Sequence, residues 1–459
     1  MSVPLFGVTI GTQHYKKCFA ARHFQLAEKI AVRFQKICVL GLGYIGLPTA
    51  STFATHGVQV VGVDVNPDVV NTLRNGGLHI HEPGLRTLVQ AALRSGNLTI
   101  QEQPSEAEAF IIAVPTPFQE DKLADLRAVE AAAQAIVPYL KKGNLVVLES
   151  TSPPLTTVGK VAPLLETSGL RRGEDFYLAY VPERVLPGYI LRELIENDRV
   201  IGGIDRPSAE AARHLYSLFV RGEILLTDAT TAEMVKLMEN TYRDVNIALA
   251  NEFARLAERF GVNVWEAIEL ANRHPRVKIL RPGPGVGGHC ISVDPWFLVE
   301  AAPDLARLIR TARQVNDEQP QHVVELARQA FGELAGLRVA ALGLAYKADV
   351  DDLRESPAIE ICHLLQQAGA EVIAYEPYRK EAQTNGIPLA AELDQALQGA
   401  DCLILLVAHR PFGTLSPTAV ARAMRGRTVL DAVNLLNRAM WEGEGFQVIK
   451  VGEGLGVRP

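Results

Sequence analysis

Cysteine is scarce and scattered in this chain. Five occur in 459 residues, at positions 18, 38, 290, 362 and 402, an odd number without CxxC spacing. That pattern argues against a disulfide framework or a zinc site; no metal is expected, and a reducing cytoplasm is. No apolar run approaches the roughly 18–20 residues of a membrane span, so membrane insertion is not expected. Neither sign of charge dominates: 46 Lys and Arg stand against 52 Asp and Glu, a net charge of −6. Without a basic block, nucleic acid is not an expected partner. HExxH, GxSxG and P-loop signatures are missing as well.

What is present is an ordinary globular balance, 48% hydrophobic and 21% charged, on a chain long enough for two or three cores. From Lys36 the pattern runs strand (37–40), glycine turn (41–46), helix of small residues (48–56) ended by Gly57, and strand (58–64). Apolar runs follow at 109–114 and 145–148. Strands alternating with helices predict an α/β fold with a parallel doubly wound sheet. Residues 228–260 read as one long helix, with Thr230 and Glu233 as a capping box and Gly261 as its stop. Beyond Gly336 the α/β pattern returns, with strands at 338–342, 371–375, 401–407 and 428–430. The expected architecture is two Rossmann-like domains, 36–226 and 331–459, joined by a helical segment, 227–330. Residues 1–35 carry Lys16, Lys17, Arg22, Lys29 and Arg33 among apolar residues but no signal-peptide core. They read as an appended helix, or as chain upstream of a true start near Val32.

The glycines of Gly41-Leu42-Gly43-Tyr44-Ile45-Gly46 lie between a strand and a helix, where they permit a tight turn and close approach of a pyrophosphate to the helix N-terminus. Asp64, at the end of the second strand, suits the ribose hydroxyls and would repel a 2′-phosphate, so NAD is expected over NADP. Thr116 and Thr151 follow strands and would face the crevice at the strands' carboxyl ends. Glu183 sits between Pro182 and Pro187 and fits either a water-activating base or a surface loop. Lys236 and Asn240 share a helix face at i, i+4 and fit either an alkoxide-stabilising pair or a solvated stripe. Cys290 ends a run, Pro282-Gly283-Pro284-Gly285-Val286-Gly287-Gly288-His289, whose glycines let backbone and ligand approach a nucleophile; Asp294 follows. A nicotinamide cofactor with a nucleophilic cysteine implies oxidation past the aldehyde, through a thiohemiacetal and then a thioester. None of the eleven tyrosines has a lysine four positions on, which sets aside the short-chain dehydrogenases and sugar-nucleotide epimerases.

In family order from Lys36 to the mid-430s, these segments resemble the nucleotide-sugar 6-dehydrogenases, which include UDP-glucose dehydrogenase. The resemblance implies an NAD-binding domain, a central helix that builds a homodimer or higher homo-oligomer, and a C-terminal domain for the UDP moiety. It implies oxidation of a sugar C6 alcohol to a carboxylate with two NAD per turnover. Cys290 then matches the nucleophile, with Asp294 four positions beyond. Lys236 and Asn240 match the pair at the sugar C6 region, Glu183 the glutamate of thioester hydrolysis and Thr151 a threonine near the water. The segments 342–347 and 352–357 match the stretch that bridges nucleotide-sugar and cofactor phosphates through Lys347 and Arg354. Arg184, Val185 and Gly287 are implied substrate contacts, and Arg276 matches an arginine that reaches a neighbouring subunit's site. Pro187 stands where UDP-glucose dehydrogenases carry a second glutamate, and His289 before the cysteine is similar to the N-acetylhexosamine branch. The segments 182–188 and 271–277 are similar to those of the branch acting on UDP-N-acetyl-D-mannosamine, which supplies uronic acids for surface polysaccharides. UDP-N-acetylglucosamine and UDP-glucose are the alternative substrates. Two other readings compete: a two-electron dehydrogenase with a structural Cys290, and a non-catalytic nucleotide-sugar sensor. The sensor would be expected to have lost Cys290, Lys236 or Asn240, and all three are present.

Overall fold

A computed structural model describes residues 34–119, 121–288, 290–379, 384 and 386–454. The expected extension, up to residue 33, and His289 lie outside the described residues.

The first domain is built on eight strands: β1 (Lys36–Leu40), β2 (Gln59–Val63), β3 (Leu98–Gln101), β4 (Ala109–Ile112), β5 (Leu145–Leu148), β6 (Tyr177–Tyr180), β7 (Arg199–Gly203) and β8 (Ile224–Asp228). Their order is β3-β2-β1-β4-β5-β6-β7-β8. The central strands are nearly continuous apolar runs because helices cover both faces of the sheet: Ile37, Val39, Phe110, Ile111, Val146 and Val147 are fully buried. Leu40 pairs with both Val63 and Ile112, and Ile112 with Leu148. The loops after β1, β4, β5 and β6 therefore leave the sheet at one edge, where an open parallel sheet takes its ligand. The sheet departs from all-parallel at one place, since β7 runs antiparallel to β6; β8 then pairs parallel to β7.

The helix Ala229–Phe260 follows, 32 residues long. Its start corrects the expected capping box. Asp228 is the N-cap and accepts from the Thr231 N–H at 2.9 Å. Glu233, fully buried, turns away from the helix end and accepts from the backbone of Leu155 and Thr157 and from the Thr157 hydroxyl. Gly261, at φ 67°, ends the helix as expected. The faces of this helix are inverted relative to a surface helix. Glu233, Lys236, Asp244 and Asn251 are buried, whereas Met238, Tyr242, Leu249, Leu256 and Phe260 are 43–72% exposed.

Four helices, Val264–Ala271, Asp294–Ala301, Arg307–Asp317 and Gln319–Phe331, lead to the second sheet. It comprises β9 (Arg338–Leu342), β10 (Glu371–Tyr375), β11 (Cys402–Leu405), β12 (Thr428–Asp431) and β13 (Gln447–Lys450), all parallel in the order β10-β9-β11-β12-β13. Ala254, Ala257, Val264 and Ile268 share this domain's apolar core, so the far end of the long helix is welded to the second domain and its near end to the first. No helix among the described residues is long and apolar enough to cross a membrane.

Candidate active site

The turn after β1 has three glycines in three different situations. Gly41 holds φ 92°, and a Cβ there would lie 2.5 Å from the Ala113 carbonyl. A Cβ on Gly46 would strike the Gly41 carbonyl at 1.8 Å, whereas one on Gly43 would meet no atom within 4 Å. The outer two glycines thus close the turn, and the middle one leaves backbone open to a ligand. Asp64 accepts from the Leu42 N–H at 2.9 Å and the Asn66 N–H at 2.9 Å, which fixes its carboxylate beside the turn. A cavity of about 780 Å³ opens here, bounded by Tyr44, His79, Glu82 and Arg86 from the first domain and by Arg354 and Arg379 from the second. The Arg354 guanidinium lies over the Tyr44 ring at 5.4 Å. These residues would suit a dinucleotide: an open glycine turn, a carboxylate fixed beside it and an arginine reaching the cavity from the second domain.

Lys236 and Asn240 point inward from the long helix. Lys236 is 9% exposed, and its ammonium donates to the Glu183 carbonyl at 2.7 Å. Asn240 donates through its amide nitrogen to Asp294 Oδ2 at 2.5 Å. The solvated-stripe alternative fails for this face. Burial pushes the Asp294 carboxyl up to about 6, against Lys236 and Asn240, which favour its charge. The Cys290 thiol is pushed up to about 11, by burial first and then by Asp294, with Lys236 and Arg354 opposing. Sulfur, ammonium and carboxylate are therefore electrostatic neighbours. At neutral pH the sulfur is a thiol, so a group that can accept its proton is required.

The strand-end loops complete the wall. Thr116 donates its hydroxyl proton to the Thr151 carbonyl at 2.6 Å, and Ser150 donates to the Val114 carbonyl at 2.6 Å. Thr151 itself is half-buried. Glu183 is 7% exposed, and its Oε1 accepts from the Arg184 N–H at 2.7 Å. The buried Pro182 and these bonds hold Glu183 inside, although the loop turns outward again at Gly188 and Tyr189.

The cysteine loop is gripped from two sides. Asn251 accepts from the Gly283 N–H at 2.9 Å and is tied through Asn316 to the buried Asp244–Arg313 pair. On the other side the Gly288 N–H donates to the Arg354 carbonyl at 3.1 Å. A Cβ on Gly288 would lie 2.8 Å from the Tyr346 ring, and one on Gly287 would strike the Glu355 carbonyl at 2.3 Å. Lys347 is half-buried, and burial and the nearby Arg243 hold its ammonium below its ordinary value while Glu193 and Glu82 oppose. Two facing cations suit a phosphate-bearing ligand.

Not every expected residue joins this cluster. The Arg184 guanidinium is engaged with Glu239 and the Asp198 carbonyl, and Val185 packs against the first domain's apolar core. Arg276 lies in an exposed segment, its N–H donating to the His274 ring at 3.3 Å. Sequence reasoning missed the supporting residues: Glu82, which accepts from the Gly188 and Ile190 N–H groups; Glu233 beneath the Thr151 loop; Arg243 beside Lys347; and Arg199 against Glu183 at 3.1 Å. Local sequence gives little signal for them: Arg199, for one, directly follows Glu196-Asn197-Asp198 and reads as part of a solvated run.

Three consecutive segments match the domains of one family, UDP-glucose/GDP-mannose dehydrogenase: its NAD binding domain over 35–220, its central domain over 230–318 and its UDP binding domain over 340–438. A UDP-N-acetyl-D-mannosamine dehydrogenase of Methanocaldococcus jannaschii is 51% identical over 426 residues, 92% of this chain and 97% of that one. An NDP-N-acetyl-D-galactosaminuronic acid dehydrogenase of Ralstonia nicotianae is 50% identical over 429 residues, 90% of this chain and 98% of that one. The solved structure of a UDP-D-ManNAc dehydrogenase from Pyrococcus horikoshii superposes with TM-score 0.85 at 42% identity, covering 91% of this chain and 99% of that one.

Proposed function

The chain belongs to the UDP-glucose/GDP-mannose dehydrogenase family, and on that premise we propose that it oxidises the C6 alcohol of UDP-N-acetyl-D-mannosamine to the carboxylate. The product, UDP-N-acetyl-D-mannosaminuronic acid, would serve surface polysaccharide synthesis in the cytoplasm. The observation that carries this reading is the buried Lys236, bonded to Glu183 and acting electrostatically on both Cys290 and Asp294.

Bound NAD, held by the Gly41–Gly46 turn, Asp64 and Arg354, supplies the hydride acceptor for both oxidations. Lys236 stabilises the alkoxide as the alcohol loses its proton, with Asp294, near pH 6 in its titration, as an acceptor. The Cys290 sulfur bonds to the aldehyde carbon as the carbonyl π bond opens and the thiol proton passes to the carbonyl oxygen. The resulting thiohemiacetal loses that proton as the second oxidation turns it into a thioester. Water held near Thr151, Asn240 and Asp294 then cleaves the thioester, with Glu183 taking its proton. Lys347, with Arg243, faces the UDP phosphates. Residues 36–226 form the cofactor domain, 227–330 the central one and 331–459 the UDP domain. The outward apolar stripe of the long helix supports a homodimer, since a second copy would cover it; this would also bring Arg276 to the partner's site. Charged replacements of Met238 and Phe253 should halve the mass seen by sedimentation, and an unchanged mass would reject that face.

The test of function is NADH formed per mole of UDP-sugar, run on UDP-N-acetylmannosamine, UDP-N-acetylglucosamine, UDP-glucose and, because of the Ralstonia relative, UDP-N-acetylgalactosamine. Two NADH with the mannosamine sugar alone is expected. Two with another sugar would keep the chemistry and reassign the substrate; one NADH with every sugar would overturn the covalent scheme.

A further inference from the structure

Glu183 is gripped from beneath by a buried cluster that the reaction as described does not use. Arg199 Nη2 donates to Glu183 Oε2 at 3.1 Å and contacts the Leu194 carbonyl at 3.3 Å. Its Nη1 lies 3.9 Å from Glu149 Oε1, the same oxygen that accepts the Tyr216 hydroxyl at 2.5 Å. The guanidinium stacks over the Tyr216 ring at 5.0 Å. Arg199 and Glu149 side chains are 5% and 0% exposed. Among the described residues Arg199 Nε and Nη1 and Glu149 Oε2 have no hydrogen-bond partner.

Two carboxylates thus share one guanidinium in a site shielded from water. Burying a second uncompensated charge is costly, so one carboxyl keeps its proton. That group is Glu149, pushed up to about 7 by burial and then by the charge of Glu183, with Arg199 and Tyr216 opposing. The ionisable groups facing it come from three elements: Glu183 from the loop after β6, Arg199 from β7 and Tyr216 from the helix Arg206–Tyr216.

We propose that Arg199, Glu149 and Tyr216 form a positioning unit that orients the Glu183 carboxylate for thioester hydrolysis and tunes its basicity through the shared guanidinium. This rests on Glu183 being the base that activates water. In that step the water oxygen bonds to the thioester carbon, the carbon–sulfur bond to Cys290 breaks, and the sulfur leaves with the electron pair. The water proton passes to Glu183 and from there to the sulfur, which restores the thiol. Arg199 holds Oε2 while the Arg184 N–H holds Oε1, so the carboxylate plane is fixed and each oxygen keeps a lone pair for the water. When Glu149 ionises it draws on Arg199, and Glu183 becomes the stronger base.

Rapid-quench turnover separates the steps, with NADH reporting hydride transfer and the intact mass of the protein reporting thioester. Arg199→Lys should slow hydrolysis on the order of ten-fold while the first hydride transfer stays within about two-fold. Glu149→Gln, which keeps the Tyr216 acceptor and the side-chain volume, should remove an inflection near neutral pH from the hydrolysis rate and leave hydride transfer's pH profile in place. Because that variant preserves packing, it decides the matter even if Arg199→Lys does not fold. A Glu149→Gln hydrolysis profile superimposable on wild type, or equal slowing of both steps, would overturn the positioning unit. Glu183→Gln serves as control. Slow hydrolysis there beside normal Arg199→Lys and Glu149→Gln overturns the unit alone, whereas normal hydrolysis in Glu183→Gln overturns the underlying role of Glu183 and the unit with it.

Discussion

The two sheets build the same turn twice and use it differently. After β1 the Gly41 N–H donates to the Val63 carbonyl at 2.8 Å, and Leu42 N–H to the acid that follows β2. After β9 the Gly343 N–H donates to the Tyr375 carbonyl at 2.9 Å, and Leu344 N–H to Glu376, which follows β10, at 2.8 Å. Both first glycines take a left-handed φ, 92° and 88°, and both pack too close to the neighbouring loop for a Cβ. The difference begins at the next positions. Where the first turn has Gly43 facing open space, the second has Ala345, 1% exposed, whose N–H also donates to Glu376. Where Asp64 is half-exposed beside a cavity, Glu376 is 1% exposed and paired with the buried His409 at 3.1 Å. The second turn is therefore plugged at the point where the first leaves backbone open. Its chain is diverted instead through Tyr346, Lys347 and Arg354 toward the cysteine loop and Tyr44. Glu376 is a buried latch, whereas the half-exposed Asp64 is left able to meet a ligand as proposed above.

The comparison is broken or sharpened by exchanging the fates of the two acids. Glu376→Ala should have the largest effect on folding, because it strands the buried N–H groups of Leu344 and Ala345 and the buried His409; a loss of about 3 kcal/mol is expected from denaturant unfolding. Burial works against the Glu376 charge, but His409 and the Leu344 and Tyr378 N–H groups outweigh it and hold the carboxyl below its ordinary value. A depressed folded value means that this stability is present above the unfolded value, near ~4.3, and is lost as pH falls through the folded one. The gap between wild type and Glu376→Ala should therefore narrow as pH falls from ~4.3 through the depressed folded value; a gap that stays constant over that range would contradict the latch. Asp64→Ala should change stability by only about 1 kcal/mol while weakening NAD binding by about 2 kcal/mol in calorimetry. Equal loss of folding in both variants would erase the distinction between the two turns.

Much of this was legible in the chain. The three glycines, Asp64, and Lys236 with Asn240 on one helix face are local patterns, and local patterns survive translation into structure. The strands around the first turn were readable within two residues, because buried parallel strands are unbroken apolar runs. Strands β3, β6, β7, β8 and β13 were not, although they are no shorter than the strands that were, and no local signal reports that β7 reverses direction. Thr230 and Glu233 had capping-box spacing, yet the backbone of residues 155–157 competes for Glu233 and wins by burying it. The Glu149–Arg199–Tyr216 cluster joins positions far apart in the chain, so nothing short of the fold brings it together. Met234 and Met238, close to Lys236 in the sequence, are turned outward, 38% and 57% exposed, with the polar face as the interior one.

The account stands or falls on the sulfur of Cys290, and the most direct test is turnover by Cys290→Ser. The expected result is hydride transfer to the aldehyde level with no uronic acid released and fewer than the wild-type number of NADH per sugar. Release of acid at the wild-type rate, with the full complement of NADH, would contradict a covalent intermediate and reduce Cys290 to a structural residue.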